Sequence, residues 1–226
     1  MEPPVPTAET RQPTGLLATF HELLTRPLAL LDRASGGGLR LALPLLAGSV
    51  VAYVLYGAAA GFFQGGEQIL VTAVKTPLII LLSILLCLPS LFVFAALAGA
   101  RWTSATFLAV LSGFAGTLAL ILLALLPVSW LFSASSRHLS TAVFLQFTLW
   151  IVALLLTWRF LRQALDALGA NAGALFLWLA LFCIVSLQVT TMLRPVLERK
   201  PGAPLFETGK KSFLEHMGDT VFGEED

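Results

Sequence analysis

The length, composition and charge of this chain exclude several classes of protein. Its 226 residues would suit one or two soluble domains, but 57% of them are hydrophobic and only 12% are charged. With a mean hydropathy of +0.86, this composition is typical of a chain that lies largely in lipid. The net charge of +1 provides no basic surface, so we expect no nucleic-acid partner.

The first 40 residues are predicted to form a leader and an amphipathic segment. Residues 1–13 are polar and rich in proline, which predicts a short disordered leader rather than a cleaved signal peptide. Residues 14–40 form the amphipathic segment, in which the apolar residues at helical spacing are Leu16, Leu17, Phe20, Leu23 and Leu24. Pro27 breaks or kinks this helix. We expect it to lie on the bilayer surface; the alternative is a helix docked on the protein's own bundle.

The first predicted crossing, Leu41–Gly61, opens a transmembrane domain over residues 41–193. Roughly 20 apolar residues in a helix span the ~30 Å hydrocarbon core of a bilayer. The crossing ends in Gly57-Ala-Ala-Ala-Gly61, a GxxxG pattern that allows another helix to approach closely. We interpret Gly57 and Gly61 as an intramolecular packing face, with dimerisation of two chains as the alternative.

The second predicted crossing, about Pro77–Gly99, follows a short semi-apolar lead at Ile69–Lys75. Pro89 lies inside the crossing and removes a backbone N–H donor, so we expect a kink there. Because no charged residue lies beside it, we interpret the kink as a packing feature; the alternative is a transport site in a broken helix. Ala95 and Gly99 belong to a second small-residue packing face.

The third crossing is predicted within Trp102–Ser136, which holds 35 uncharged residues and is too long for one upright span. We divide it into a crossing over about Ala105–Leu126, ended by Pro127, and an interfacial turn. Trp130 and Phe132 in that turn suit the headgroup boundary. The residues expected to line one side of the crossing for close contact are Ser112, Gly113 and Gly116.

The fourth and fifth crossings are predicted at about Ser140–Trp158 and Ala172–Leu193, with Gln146 in the fourth and Gln188 in the fifth. Because the two crossings run antiparallel, both amides reach a similar depth on the same side. We predict that they hydrogen-bond each other as structural glue. The alternative is a polar ligand pocket that also includes Ser186, Thr190 and Thr191.

The remaining motifs predict no catalytic, metal or cofactor site, and therefore no enzymatic activity. There is no GxSxG, HExxH or paired-cysteine motif, and Thr208-Gly-Lys-Lys-Ser212 lacks the glycine spacing of a phosphate loop. Cys87 and Cys183 lie inside apolar runs, which predicts neither a disulfide framework nor a zinc site. The last segment, 194–226, is predicted to be a short soluble tail with one amphipathic helix after the capping box Ser212-Phe-Leu-Glu215.

One layout in the chain resembles a known family. A basic, proline-punctuated amphipathic segment, Phe20–Arg33, leads into five closely spaced crossings, with Gly99–Phe107 between the second and third. This layout is similar to that of the Yip family of five-helix membrane proteins, including its bacterial relatives. The resemblance implies a cytoplasmic N-terminus and, from the eukaryotic members, partnership with trafficking GTPases. The Asp-Leu-Tyr-Gly-Pro motif of those members is absent here, so only the five-helix architecture is carried over.

These observations predict an all-α polytopic membrane protein, a bundle of five transmembrane helices with an N-terminal amphipathic interfacial helix. No predicted crossing holds a charged residue near its middle, whereas ion-coupled transporters usually need one. We therefore expect a non-enzymatic scaffold or accessory subunit whose partners are the lipid bilayer, other membrane proteins or further copies of the chain. The alternative is a transporter or channel component with a polar path near Pro89, Gln146 and Gln188.

The orientation is predicted from the lysines and arginines that flank the crossings. With the N-terminus inside, the inner and the outer segments each hold seven of the 14. The first crossing usually dominates, and its N-terminal flank is far more basic than the loop after it. We therefore predict a cytoplasmic N-terminus and an outer C-terminus, in a bacterial cytoplasmic membrane.

Overall fold

Helices account for nearly all of the protein that the computed structural model describes, namely residues 16–26, 28, 38–62, 68–101, 103–135, 139–170 and 173–197. In chain order they are α1 (Leu16–Thr25), α2 (Gly38–Gly61), α3 (Gln68–Leu97), α4 (Ser104–Ser135), α5 (Leu139–Ala167) and α6 (Gly173–Leu197). No strand occurs within these ranges. The predicted leader, residues 1–13, and the predicted tail helix after Ser212 lie outside the described residues.

Five of these helices are long and apolar enough to cross a membrane. By length and composition, the candidate spans are Ala42–Gly61, Ile69–Leu97, Ser104–Ser135, Phe144–Ala167 and Leu175–Met192. The prediction of an all-α bundle with five transmembrane helices is therefore confirmed, and the chain is a multi-pass membrane protein. In lipid a single segment must satisfy its own backbone hydrogen bonds, which is why each apolar run becomes a helix.

Helix α3 is longer than the second predicted crossing. It begins at Gln68, so the stretch predicted as a separate lead forms its first two turns, and it continues through both Pro77 and Pro89. Close to Pro89 the Cys87 carbonyl accepts two side-chain hydrogen bonds. The Ser90 hydroxyl donates to it at 2.7 Å and the Trp178 indole N–H at 3.2 Å. The Trp178 bond joins α3 to α6 beside Pro89.

Helix α4 corrects the predicted division of the third crossing. It runs without a break from Ser104 to Ser135, so Pro127 does not end it and no separate interfacial turn follows. Its 32 residues correspond to about 48 Å, more than a ~30 Å hydrocarbon core. The turns after Pro127 stay helical because Ser129 and Ser133 are buried against neighbouring helices, and this packing outweighs the one lost backbone bond.

The last two helices also extend past their predicted ends. Helix α5 continues beyond Trp158 to Ala167, and Arg162 Nε lies 3.8 Å from Asp166 Oδ2 on its exposed surface. Helix α6 passes through Pro195 to Leu197 rather than stopping at Leu193. The helix therefore does not end where the charged residues Arg159 and Arg162 begin. Their side chains are exposed, and the backbone of α5 stays helical beneath them.

The packing order of the helices differs from their order in the chain. Helix α2 packs against both α3 and α4; α3 packs in turn against α6, and α4 against α5. Contact between α5 and α6 is slight. Followed from each helix to its main neighbour, the order is α6, α3, α2, α4, α5. Helices α5 and α6 were predicted to be neighbours along their length, but each packs mainly against a different helix.

Helix α1 is docked on the bundle, the alternative that the sequence left open. Its Phe20 and Leu23 side chains are buried, and it contacts α2 and α4. An ideal Cβ on Gly116 of α4 would lie 2.9 Å from Leu23 Cδ2, which shows how closely α1 approaches. Leu24, on the other side of α1, is 67% exposed. Docking uses Phe20 and Leu23 of the apolar stripe, and the interfacial position of Leu24 stays a prediction.

Two glycine turns meet at one end of the bundle. Gly99 (φ 94°) follows α3 and Gly169 (φ 77°) follows α5, each in the left-handed conformation that glycine adopts freely. Each turn closes its helix with a six-residue backbone bond, Ala100 N–H to Ala95 C=O at 2.9 Å and Ala170 N–H to Leu165 C=O at 3.0 Å. The Arg101 N–H then donates to the Leu168 carbonyl at 3.4 Å and joins the two turns.

Candidate functional site

Four polar side chains form a connected cluster between α2, α4 and α5. The Tyr56 hydroxyl donates to Gln146 Oε1 at 2.8 Å. The Gln146 amide Nε2 donates to Ser129 Oγ at 2.6 Å and to Ser133 Oγ at 3.3 Å. The Ser133 hydroxyl donates in turn to the Ala60 carbonyl at 3.5 Å. We call these residues, Tyr56, Ser129, Ser133 and Gln146, the Gln146 cluster.

Helical spacing explains how the cluster assembles. Ser129 and Ser133 are four residues apart on α4, so their hydroxyls lie on the same face one turn apart. Tyr56 reaches them from the last turns of α2, and Gln146 from the first turns of α5. Both serines and Tyr56 are buried.

The chemistry of the Gln146 cluster is that of a closed, neutral network. Both polar ends of the Gln146 amide have partners within the bundle, namely the hydroxyls of Tyr56, Ser129 and Ser133. Such networks between membrane helices contribute about 0.6–2 kcal/mol per bond and fix the register of the helices that share them. The arrangement therefore binds three helices to one another.

The predicted bond between Gln146 and Gln188 is not formed. Gln188 lies on the exposed side of α6, away from the helices that enclose Gln146. The prediction rested on the expectation of equal depth, and equal depth does not by itself bring two side chains into contact. Because α5 packs along α4 while α6 packs along α3, the glutamines are held by different neighbours.

The residues of the predicted GxxxG face are used inside the chain. An ideal Cβ on Gly57 would lie 2.5 Å from the Thr72 carbonyl oxygen and 2.6 Å from the Thr76 hydroxyl of α3. Only glycine permits this approach of α2 to the backbone of α3. Gly61 is buried as well. The side of Gly57 that a second copy would need is therefore occupied by α3.

The other predicted packing residues divide into two groups. Ser112 and Ala95 are fully buried, and Gly116 accepts the side chains of Leu23 and Leu45 from α1 and α2. Gly99, by contrast, is exposed and in a left-handed turn, so it ends α3 instead of lining a packing face. Its conformation, rather than its lack of a side chain at an interface, accounts for glycine at this position.

An aromatic cluster in the bundle interior was missed by sequence reasoning. The rings of Phe114, Trp178 and Phe182 lie within 5.4–5.6 Å of one another, centroid to centroid, and join α4 to α6. All three are buried. Trp178 and Phe182 are one turn apart, which places two large rings on one face of α6 and could have indicated this contact.

Both tyrosines of the chain donate hydrogen bonds from α2 to another helix, and the sequence analysis singled out neither. The Tyr53 hydroxyl donates to the Ala115 carbonyl of α4 at 2.6 Å, while Tyr56 belongs to the Gln146 cluster. The available signal was that a buried tyrosine hydroxyl needs a partner, and these two are the only ones in 226 residues. They lie three residues apart on α2, the helix between α3 and α4.

No arrangement typical of a metal centre is found in the part of the chain that the structure describes: no three His, Cys, Asp or Glu side chains come together there. The polar groups that do converge are hydroxyls, one amide and backbone carbonyls. No family model, no curated protein and no solved structure matches this chain. Its site is therefore defined by its own geometry, as a neutral polar network inside a five-helix membrane bundle.

Proposed function

We propose that this multi-pass membrane protein is a non-enzymatic scaffold or accessory subunit that holds partner proteins in the bilayer. The observation that carries the proposal is the closure of the Gln146 cluster. Its one amide is used completely by Tyr56, Ser129 and Ser133, so the cluster stabilises the bundle and leaves no free amide for a ligand.

The positions of four arginines support the same function. Arg26, Arg101, Arg159 and Arg162 are exposed. Arg101 belongs to the turn that meets the α5–α6 turn, and Arg159 and Arg162 lie in the last three turns of α5 before it. Charged groups that drive ion coupling instead face the interior of a bundle. Exposed arginines at one end suit a headgroup layer or an acidic partner surface.

The alternative of a polar transport path loses its geometric basis. Its three residues do not face a common space: Pro89 is exposed on α3, Gln188 is exposed on α6, and Gln146 lies between α2, α4 and α5. A path needs groups that face one another across an opening. The same residues on separate surfaces are better explained as parts of packing and contact faces.

Partner binding would use the apolar outer faces of the bundle. On α3 the exposed side chains include Leu82, Leu85, Leu86 and Val93, and the opposite face of that helix packs on α2 and α6. In a membrane such a face meets either lipid or another helix, and helix association there rests on van der Waals packing.

A photoreactive side chain placed on that face tests the proposal. We expect a residue substituted at Leu86, which is exposed, to form an adduct with a second protein species in native membranes. The matched control is Leu91, on the same helix and fully buried, where no adduct with another protein is expected. Mass spectrometry separates adducts with a different protein from adducts with lipid or with the chain itself. Lipid-only adducts at Leu86 and at exposed positions of α5 and α6 would overturn the scaffold function.

A further inference from the structure

Gln188 occupies an unusual position on the outer surface of α6. It falls inside the candidate span Leu175–Met192, and its side chain is exposed. The inner face of the same helix is formed by Trp178, Phe182 and Ser186, all buried. Gln188 is thus a polar residue on the side of a membrane helix that points away from its own bundle.

The amide of Gln188 has no hydrogen-bond partner within the part of the chain that the structure describes. Gln146, the corresponding glutamine of α5, satisfies both ends of its amide inside the bundle. An amide that meets hydrocarbon without a partner is costly, and glutamines on membrane helices commonly satisfy it across a helix–helix contact.

The residues around Gln188 form a surface that another helix can approach. Leu177, Ile184 and Met192 are all exposed, and they lie eleven and four residues before Gln188 and four after it. At helical spacing these positions share one face. No charged residue lies between Leu175 and Met192, so the face offers apolar packing with a single polar group.

We propose that two copies of this chain associate through the outer face of α6, with the two Gln188 amides hydrogen-bonded to each other across a twofold axis. A primary amide carries both a donor and an acceptor, so it is complementary to a second copy of itself. A twofold contact places the same residue of each copy opposite its equivalent. A second copy therefore satisfies the Gln188 amide without requiring any other partner chemistry.

Other surfaces fit a second copy less well. The GxxxG face is filled, since Thr72 and Thr76 of α3 occupy the space beside Gly57. The exposed side of α5 carries Arg159, Arg162 and Asp166, and two such sides brought together would have to desolvate these charged groups. The outer face of α6 combines a self-complementary polar group with an uncharged surface.

Cysteine cross-linking in membranes tests the contact. In a chain with Cys87 and Cys183 replaced by alanine, Ile184→Cys and Met192→Cys keep Gln188 in place, and each should form a disulfide-linked dimer on mild oxidation. The matched control is Phe144→Cys on α5, which is 70% exposed and should remain monomeric. Cross-linking at Phe144 equal to that at Ile184 and Met192 would overturn the proposal, because it would indicate random collision.

A second measurement removes the polar group and keeps the apolar face. Gln188→Leu should raise the dimer dissociation constant in detergent or bilayers about 3- to 30-fold, the equivalent of one interhelical amide–amide contact. Gln163→Leu, at another exposed glutamine on α5, should leave the constant unchanged. An unchanged constant in Gln188→Leu, a monomeric native chain, or cross-linking of Ile184→Cys to a different protein only, would each overturn the dimer. These outcomes are independent of whether α3 binds a partner.

Discussion

The hydroxyl of Tyr56 and the side-chain carbonyl of Gln146, 90 residues apart in the chain, meet in a 2.8 Å hydrogen bond. This bond joins α2 to α5, and both reach the serines of α4 at the same place. The three crossings thereby share one polar contact that fixes their relative positions. In lipid, where packing against a neighbouring helix competes with packing against acyl chains, such a point selects one arrangement among many.

The first prediction concerns the stability contributed by this bond. Tyr56→Phe and Gln146→Leu should each lower the free energy of unfolding by about 0.6–2 kcal/mol in a detergent unfolding assay. The double variant should lose less than the sum, because removal of one partner leaves the other unsatisfied. Gln188→Leu is the control, and the stability of its monomer should be unchanged. Strict additivity of the two substitutions would contradict the bond.

The second prediction concerns the close approach of α2 to α3. Gly57→Ala should destabilise the bundle by about 1–3 kcal/mol, because the new methyl group would overlap the Thr72 backbone oxygen, which cannot move independently of its helix. Ala47→Leu, at an exposed position of the same helix, should be tolerated. Thermal unfolding in detergent measures both. Equal tolerance of the two substitutions would show that the helices are farther apart.

The third prediction concerns the glycine turn after α5. Gly169→Ala should cost about 1–2 kcal/mol through backbone conformation alone, since φ is +77° and no atom lies within 4 Å of an added Cβ. Gly169→Asn should cost less than Gly169→Ala, because asparagine tolerates the left-handed region better. The reverse order in the free energies of unfolding would exclude a left-handed turn here.

The fourth prediction concerns the docking of α1. Thr19 is buried, so a cysteine substituted there should react slowly with a membrane-impermeant thiol reagent. Adding Leu23→Ala should accelerate this reaction, because it removes the leucine side chain that packs against Gly116. The free energy of burying a leucine side chain is about 1.5–3 kcal/mol. The control is Leu24→Ala, which alters an exposed side chain and should have little effect. Fast reaction at Thr19 in an otherwise native chain would mean that α1 is undocked.

The position of α1 relative to lipid can be tested with two neighbouring cysteines. Leu24→Cys should be shielded from the same reagent if the exposed side chain of Leu24 lies in the bilayer surface, whereas Thr25→Cys should react readily. Both side chains are exposed from the protein, so only lipid can distinguish them. Equally fast reaction at both positions would place that side of α1 in water.

The fifth prediction concerns orientation in the membrane. The loop at Arg101 and the end of α5 with Arg159 and Arg162 lie at one end of the bundle, and we expect that end to face the cytoplasm with the N-terminus. A reporter that is active only in the cytoplasm, fused after Asp226, should therefore be silent. Its activity when fused after Arg101 should be strong. The opposite pattern of the two fusions would invert the assignment.

The number and nature of the crossings followed from the sequence alone. Five runs of apolar residues, each long enough for a bilayer core, can only be helices in lipid, because an isolated segment there has no other way to satisfy its backbone. The role of Gly57 in a close approach was also readable, since a GxxxG pattern has one dominant physical use. These are local properties of the chain, and local patterns determined them.

The partners of each helix were decided only by the tertiary structure. In α2, α3 and α4 nearly every face is apolar, so no stripe in the sequence distinguishes the buried side from the side in lipid. Counting residues predicted that Gln146 and Gln188 lie at the same level, but only the packing order put Tyr56 beside Gln146 and left Gln188 on the outer surface of α6. Pro127 likewise reads as a helix end locally, and the helix passes through it because the following turn is buried against its neighbours.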